Sequence, residues 1–530
     1  MEELRQLEIL LSRGKITRRE FLAKTSALGL TALAAASLPG VPALAATPKK
    51  GGRFRVGMGS GATSDSLNPE RSDNPMSSFI LFGQLSNALV ELDYKGKAVP
   101  ELVEKWESSL DAKRWTFRLR RGVEFHNGKT LDAEDVIFSL NIHLGEKSKS
   151  GVKSLFKSVS DIRKDGKQAV IFTLKDGNIE FPYILSDNRL VMVPAGTTDF
   201  EKGIGTGGYM LESFTPGVRC LTRRNPNYWK QGRAHFDEVE TLCIPDVSAR
   251  TNALRTGRTD YMTRCDFKTA HLLEKLPGVR LISKPGRTHA TLPMLTDISP
   301  YDNNDVRLAL KYAMDREQIV KQILQGHGSV GNDHPIAPDM RFFASELEQR
   351  TYDPDKARHF IKKAGLAGHV FRLHVADAAF PGAVDTAVLY KEQAGRAGIS
   401  IEVVREPNDG YWKNVWRKKP WCFSFWNSRP TEDMLFSSAY AENVPWNETH
   451  FRNERFNALL KASRVEFEEV VRREMYVEMQ RIVRDKGGTI IPFFLNILDA
   501  ASEKVKFRDF ATDKVTLDGF KAAERMWFES

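Results

Sequence analysis

Two spacings of apolar residues alternate along the chain, and the switches between them mark its elements. Alternation at Phe54-Arg55-Val56-Gly57-Met58 predicts a strand with one buried face, and the Gly/Ser/Asp/Asn/Pro stretch that follows, to Pro75, predicts a long polar loop. Over residues 79–92 the pattern turns helical. After Pro100 a second region opens with strand-like Trp115-Thr116-Phe117-Arg118-Leu119, and Asp132 stands where it can cap a helix whose inner side carries Val136, Ile137 and Leu140. Strands are expected at residues 169–174, 219–223 and 239–244, and a capped helix over 246–257 closes at Gly257 before Tyr261 resumes a strand. From about Asp302 helix and strand alternate. Asp315 and Gln318 resemble a capping box ahead of Ile319, Val320, Ile323 and Leu324, and Asp353-Pro354 starts a helix with Ala357, Phe360, Ile361 and Ala364 inside. A strand at 371–375, a helix at 384–396 and a strand at 399–404 follow in the order of a βαβ unit.

The chain has 530 residues, 41% hydrophobic and 28% charged, a globular composition too long for one ordinary core, so two or three lobes are expected. Its formal net charge of +10 is scattered among acidic residues, with no basic block beyond short clusters such as Arg417-Lys418-Lys419, so a solvated surface is a better reading than nucleic-acid binding. None of the four cysteines, Cys220, Cys243, Cys265 and Cys422, forms Cys-x-x-Cys, which argues against a zinc or redox motif. Cys220 and Cys243, both in strand-like sequence, are the pair to test for a disulfide, with free buried thiols as the alternative.

The first 45 residues change the setting. Thr17-Arg18-Arg19-Glu20-Phe21-Leu22 precedes a mild, alanine-rich run over 27–36 and a small-residue stop at Ala43-Leu44-Ala45. That order reads as a twin-arginine export leader, and the run is shorter than the roughly 18 apolar residues that span a bilayer. An amphipathic N-terminal helix would explain the run but not the three features together. The mature chain is expected to work outside the cytoplasmic membrane, in the periplasm, where capture of a small molecule becomes a leading possibility.

Gly57-Met58-Gly59-Ser60-Gly61-Ala62 satisfies the formal dinucleotide fingerprint, yet Thr63-Ser64-Asp65-Ser66-Leu67-Asn68-Pro69 reads as turn where a helix should begin, so no cofactor is expected. Gly203-Ile204-Gly205-Thr206-Gly207-Gly208 lacks the Lys-Ser/Thr of a phosphate loop and reads as a backbone crossing. His327, Asp333 and His334 have no His-x-x-x-His or cysteine support for a metal, and no Gly-x-Ser-x-Gly or framed cysteine suggests a nucleophile. Aromatic density is high over 411–426, where Trp412, Trp416, Trp421, Phe423, Phe425 and Trp426 fall together. Residues 421–426 read as a strand with Cys422, Ser424 and Trp426 on one side, and Asn427, Ser428 and Arg429 following directly suggest a pocket wall rather than core alone.

Several segments together resemble one family, the extracytoplasmic solute-binding proteins of peptide, nickel and opine ABC importers. They are Pro100-Glu101-Leu102-Val103-Glu104-Lys105-Trp106-Glu107, the run ending Gly122-Val123-Glu124-Phe125-His126-Asn127-Gly128, and Leu131-Asp132-Ala133-Glu134-Asp135-Val136, then Gly205-Thr206-Gly207-Gly208-Tyr209, Arg224-Asn225-Pro226-Asn227-Tyr228-Trp229, and residues 305–316. The resemblance implies an α/β, periplasmic-binding-protein-like fold: two large mixed α/β lobes joined by a hinge, plus a smaller extra lobe. With the composition changes it places a discontinuous lobe I at 46–92, 201–299 and 492–530, the small lobe II at 93–200 and lobe III at 300–491. It further implies a non-enzymatic monomer that closes on a peptide or small-molecule ligand and passes it to an inner-membrane ABC permease, with no nucleic acid. In peptide-binding members an aspartate before an x-Pro turn pairs with the ligand's α-amino group; counting back from Pro430, that position falls on Trp426. With no carboxylate there, Arg429 suits a carboxylated, opine-like conjugate, with ordinary peptides second. The candidate ligand-binding residues are Asp73, Met76, His289, Asn332, His334, Trp412, Ser424, Trp426, Asn427 and Arg429, beside Asp333, Glu432 and Asp433. A twin-arginine-exported nicotinamide-dependent oxidoreductase is the alternative.

Overall fold

The first strand, Arg53–Met58, owes its place to strict alternation: Phe54, Val56 and Met58 are fully buried while Arg53 and Arg55 face out. It lies between two parallel neighbours, Glu238–Cys243 and Tyr261–Met262. The computed structural model describes residues 48–72, 74–146, 148, 150–508 and 516–529; the predicted leader and Asp73 lie outside them. Antiparallel strands complete a seven-stranded sheet, Tyr209–Thr215 and Arg219–Arg224 on one side and Ile497–Ser502 and Val279–Lys284 on the other. Segments more than 400 residues apart in sequence thus share one sheet and one core, in which Phe54 stacks on Phe236 at 4.5 Å between ring centroids.

A four-stranded antiparallel sheet, in the order Val103–Ser108, Arg114–Leu119, Ala169–Leu174 and Val159–Lys164, forms the second layer system. The helix Ala133–Leu144 begins as its sequence predicts: Asp132 accepts from the Glu134 and Asp135 amides, and the Asp135 carboxylate accepts from the Asp132 amide.

The third sheet joins Gly328–Val330, Phe493–Leu495, His289–Pro293 and Ser424–Trp426, with Thr489–Ile490 beside His289–Pro293. Single bridges, Met294 with Trp421 and Cys422 with His374, connect it to the parallel pair Val370–Val375 and Ser400–Arg405, which the helix Ala383–Arg396 links as the expected βαβ unit. Two cores cover its two faces. One gathers Ala290, Leu292, Trp421 and Phe423 with the helices after Asn303; the other gathers Trp426, Phe436, Tyr440, Tyr476 and Phe494.

The segments that carry the family resemblance converge on scaffold. Glu101 is fully buried and accepts from Asn87 Nδ2 at 2.8 Å and from the Ala88 amide at 3.1 Å, and Lys230, next to Tyr228-Trp229, reaches Glu101 at 2.7 Å, Glu91 at 2.7 Å and Glu524 at 3.0 Å. Thr206 and Trp229 both donate to Asn87 Oδ1. His126 accepts from the Gly205 amide through Nδ1 at 3.2 Å and donates from Nε2 to the Gly207 carbonyl at 3.1 Å, which fixes its tautomer. Gly205 is required here: a Cβ would stand 2.1 Å from Ser86 Oγ and 2.2 Å from the Leu85 carbonyl, so residues 203–208 are the close backbone crossing the sequence suggests.

The structure corrects several expectations. The helix expected over 79–92 begins earlier, at Pro75 behind an Asn74 cap, and ends at Leu85, while Val90–Leu92 is a strand paired with Ala98–Pro100. Period alone cannot locate that switch in an apolar run. The box at Asp315 is half formed: Asp315 caps the Gln318 amide, whereas the Gln318 side chain accepts from Gln393 Nε2 at 3.0 Å. Of the strand expected over 421–426, only Ser424–Trp426 is a ladder, Trp421 and Cys422 forming single bridges. The four cysteines are free; Cys220 is paired in register with Thr241, two residues short of Cys243 on the next strand.

Candidate functional site

The register of two strands builds the site. His289 lies opposite Trp426 and Thr291 opposite Ser424, so these four side chains share one face of the third sheet. At that face Glu448 is buried, accepting from Trp416 Nε1 at 2.7 Å and from Thr291 Oγ1 at 2.8 Å. Among the described residues no Lys, Arg or His forms an ion pair with Glu448. Burial raises its carboxyl above the usual range, against hydrogen bonding from Trp416, Thr291, Trp426 and Ser424. Among the described residues several polar atoms here have no partner: His289 Nε2, Tyr440 Oη and both ring nitrogens of His334. Burial pushes His289 down to about 4 and His334 down to about 3, so both imidazoles are neutral near pH 7. The Trp426 indole meets Trp446 at 6.0 Å, and Trp446 is 44% exposed, so this aromatic pair runs from core to surface.

Beyond Trp426 the chain turns through exposed Asn427 and half-buried Ser428 and Arg429 before Thr431 caps the helix Glu432–Ala439. Among the described residues the Arg429 guanidinium donates to the carbonyls of its own turn, Ser428 at 3.0 Å and Asn427 at 3.5 Å, and to no carboxylate. Burial lowers its affinity for the proton, with Asp187 opposing and Arg189 adding to the effect. This is a half-buried cation without a paired carboxylate among the described residues, next to neutral imidazoles and large rings. Such a surface recognises ligands by hydrogen bonding, stacking and one charge.

The expected site residues divide. His289, Ser424, Trp426, Asn427 and Arg429 are brought together by the strand pair and the turn after it, and the His334 ring lies where His289 acts on it electrostatically. Met76 is fully buried under the first sheet, its sulfur beside Gly61 and Cys243. Asn332 is spent on structure, donating to the Glu348 carbonyl and accepting from the Arg350 amide, and its neighbour Asp333 is fully buried between Arg316 at 2.7 Å and Arg350 at 2.9 Å. Trp412 is 41% exposed, packed edge-on against Phe425 and Trp416. Glu432 and Asp433 do not neutralise Arg429; they accept from the Phe342 amide and from Arg464 respectively. Sequence reasoning missed Thr291, Glu448 and Trp446. The alternation in His289–Pro293 could have offered Thr291, but Glu448 stands in a loop without any signature. A separate concavity of about 770 Å³ lies on the outer face of the first sheet against Arg53, Arg55, Arg219, Arg258 and Lys504. Its guanidiniums pair with Glu238, Glu240 and Asp260, as expected of a solvated sheet face.

Among the described residues no group of three or more His, Cys, Asp or Glu could hold a metal ion, and no helix is long and apolar enough to cross a membrane. The Gly57-to-Ala62 turn fails as a dinucleotide site, because its first helical residues are the single turn Pro69–Arg71.

The fold is that of the periplasmic binding proteins. It matches the ABC transporter-associated periplasmic binding protein DppA from Helicobacter pylori, solved with the peptide STSA, at a TM-score of 0.74 and 22% identity over 91% of this chain and 99% of that one. It matches AgaA from A. tumefaciens R10, solved with agropinic acid, at 0.73 and 23% over 90% and 99%. In sequence the chain is 26% identical to the dipeptide-binding protein of Escherichia coli K12 over 463 residues, 80% of this chain and 86% of that protein. The model of the bacterial extracellular solute-binding proteins, family 5, middle region, matches residues 97–448, and the chain belongs to that family. It is a solute-binding protein of the ABC-importer type, and the oxidoreductase alternative is set aside.

Proposed function

We propose that this protein is exported by the twin-arginine route, works in the periplasm as a monomer, and closes two lobes on a carboxylated amino-acid conjugate that it hands to an ABC permease without altering it. The lobes follow the sheets, lobe I on the seven-stranded sheet, lobe II on the four-stranded sheet and lobe III on the third, so that lobe III takes the strands His289–Pro293 and Phe493–Leu495 from the bounds expected for lobe I. The observation that carries the ligand class is Arg429, a half-buried guanidinium with main-chain partners only among the described residues, just past a strand whose last residue, Trp426, stands where peptide-binding relatives place an aspartate. A paired, charge-assisted fork to a ligand carboxylate would supply the missing anion. His289 and His334 offer it neutral ring nitrogens, and the Trp426–Trp446 pair offers an apolar wall.

Native mass spectrometry of the purified protein identifies any co-purifying solute, and calorimetric titration compares carboxylated conjugates with unblocked dipeptides. The expected result is tighter binding of the conjugate, weakened about 10- to 100-fold by Arg429→Gln, the loss of one charge-assisted hydrogen-bonded pair. Submicromolar dipeptide binding that Arg429→Gln leaves unchanged rejects this ligand class.

A further inference from the structure

Away from the ligand surface, the segment after the strand Ala169–Leu174 packs against helices of the third lobe. The Ile179 amide donates to the Arg464 carbonyl at 2.9 Å, and Gly177 is so tightly enclosed that a Cβ would stand 2.1 Å from the Asp111 carbonyl and 2.7 Å from Val465. Glu180, 4% exposed, enters this contact. Its nearest cation is Arg472, 3.9 Å away, and its Oε2 has no partner.

The charges around Glu180 do not balance. From the start of the helix Glu432–Ala439 come two more buried carboxylates, Glu432 and Asp433. Asp433 is matched by Arg464 at 2.7 Å, and Glu432 accepts the Phe342 amide at 2.8 Å. Arg341 is engaged by Glu469 at 2.6 Å, and the Tyr183 and Tyr476 phenols, kept neutral by burial, complete the surroundings. Arg464 is therefore committed to Asp433, Arg287 and Arg341 act on Glu432 while paired with Asp339 and Glu469, and Glu180 is left with Arg472 at a distance. Burial raises the Glu432 carboxyl as well, but Glu432 has the Phe342 amide as a donor and Asp433 has Arg464, whereas Glu180 Oε2 has no partner among the described residues, which makes Glu180 the group to take a proton.

We infer that this contact between lobes II and III is a proton-dependent latch, tight when Glu180 is protonated and loosened when Glu180 ionises. Burial, followed by the neighbouring Glu432 and Asp433, pushes Glu180 up to about 7, with Thr431 and Arg472 opposing. Apart from lobe III the same carboxyl returns toward its ordinary value near 4.5. Because the raised value belongs to the closed contact, the latch is at full strength below the ordinary carboxyl range and is lost as pH rises through about 7. The consequence for transport rests on the solute-binding reading: the carrier grips its solute more firmly in acidic surroundings.

The test uses ligand-free protein, so its outcome is independent of which solute is carried. Hydrogen exchange is followed in peptides covering residues 176–183 and 460–466, with Ile179 as the reporting amide, and corrected for intrinsic rates. Protection of both segments is expected to rise about tenfold between about pH 8 and about pH 6 in the wild type, as linkage requires for this shift. Glu180→Gln removes the slope and is protected at both values, while Arg472→Gln moves the midpoint upward. Equal corrected protection in the wild type across that range overturns the latch, whatever the variants do, and so does a slope that survives in folded Glu180→Gln.

Discussion

Glu448 accepts hydrogen bonds from Trp416 and Thr291, residues 32 and 157 positions away, while it lies buried without an ion-pair partner among the described residues. Its carboxylate ties a loop to two segments distant in sequence. Glu448→Ala would leave an indole N–H and a hydroxyl unpaired in a dry site, at about 1–3 kcal/mol each. Chemical denaturation is expected to show a loss of that order, accompanied by a change in tryptophan emission, whereas Glu448→Gln, which keeps an acceptor oxygen, costs less.

Lys230 is the centre of a buried charge cluster, touching Glu91, Glu101 and Glu524, and it holds Glu524 below the usual carboxylate range. Replacing it with Met removes the cation and strands carboxylates in low dielectric. A loss of about 3–5 kcal/mol is expected by urea denaturation. A loss under 1 kcal/mol would show that Lys521 and Arg525 suffice to balance the cluster.

Three buried imidazoles set the acid limit of stability. Burial lowers His143 to about 4, His289 to about 4 and His334 to about 3. Each binds a proton more readily when unfolded, so its contribution is complete above the ordinary histidine value of about 6.5 and is lost as pH falls toward the lowered one. About 3 kcal/mol per histidine is at stake across that window. Urea midpoints measured downward from about pH 7 should fall steeply below about pH 6, and His143→Asn, at the residue bonded to Ser150 Oγ at 2.7 Å, should make the fall shallower.

The cysteines should be inert. Burial pushes the Cys220 thiol up to about 12 and raises Cys265 and Cys422 as well, while Cys243 is half-buried. Thiolate reagents are expected to find at most Cys243 in the native protein and all four thiols after denaturation without reductant. Fewer than four would reveal a bridge and contradict the free pairing of these strands.

The sequence by itself determined the local elements and the family. The Asp132, Asp246 and Asp353 caps, the alternation in Arg53–Met58 and the βαβ order after Phe371 are written in near neighbours, because hydrogen bonds to helix amides and one-sided burial act over a few residues. His289, Ser424 and Trp426 were recognisable as candidates from aromatic density and the family resemblance. Only the tertiary structure decided which polar groups are paid with partners and which are left waiting. Asn332 lost its role to the Glu348 carbonyl and the Arg350 amide, and Met76 to the core under the first sheet. Glu180 and Glu448 acquired theirs from charges and indoles that no spacing along the chain relates to them. Electrostatic energy in a dry interior depends on who stands within a few ångströms, and that is settled when distant strands meet.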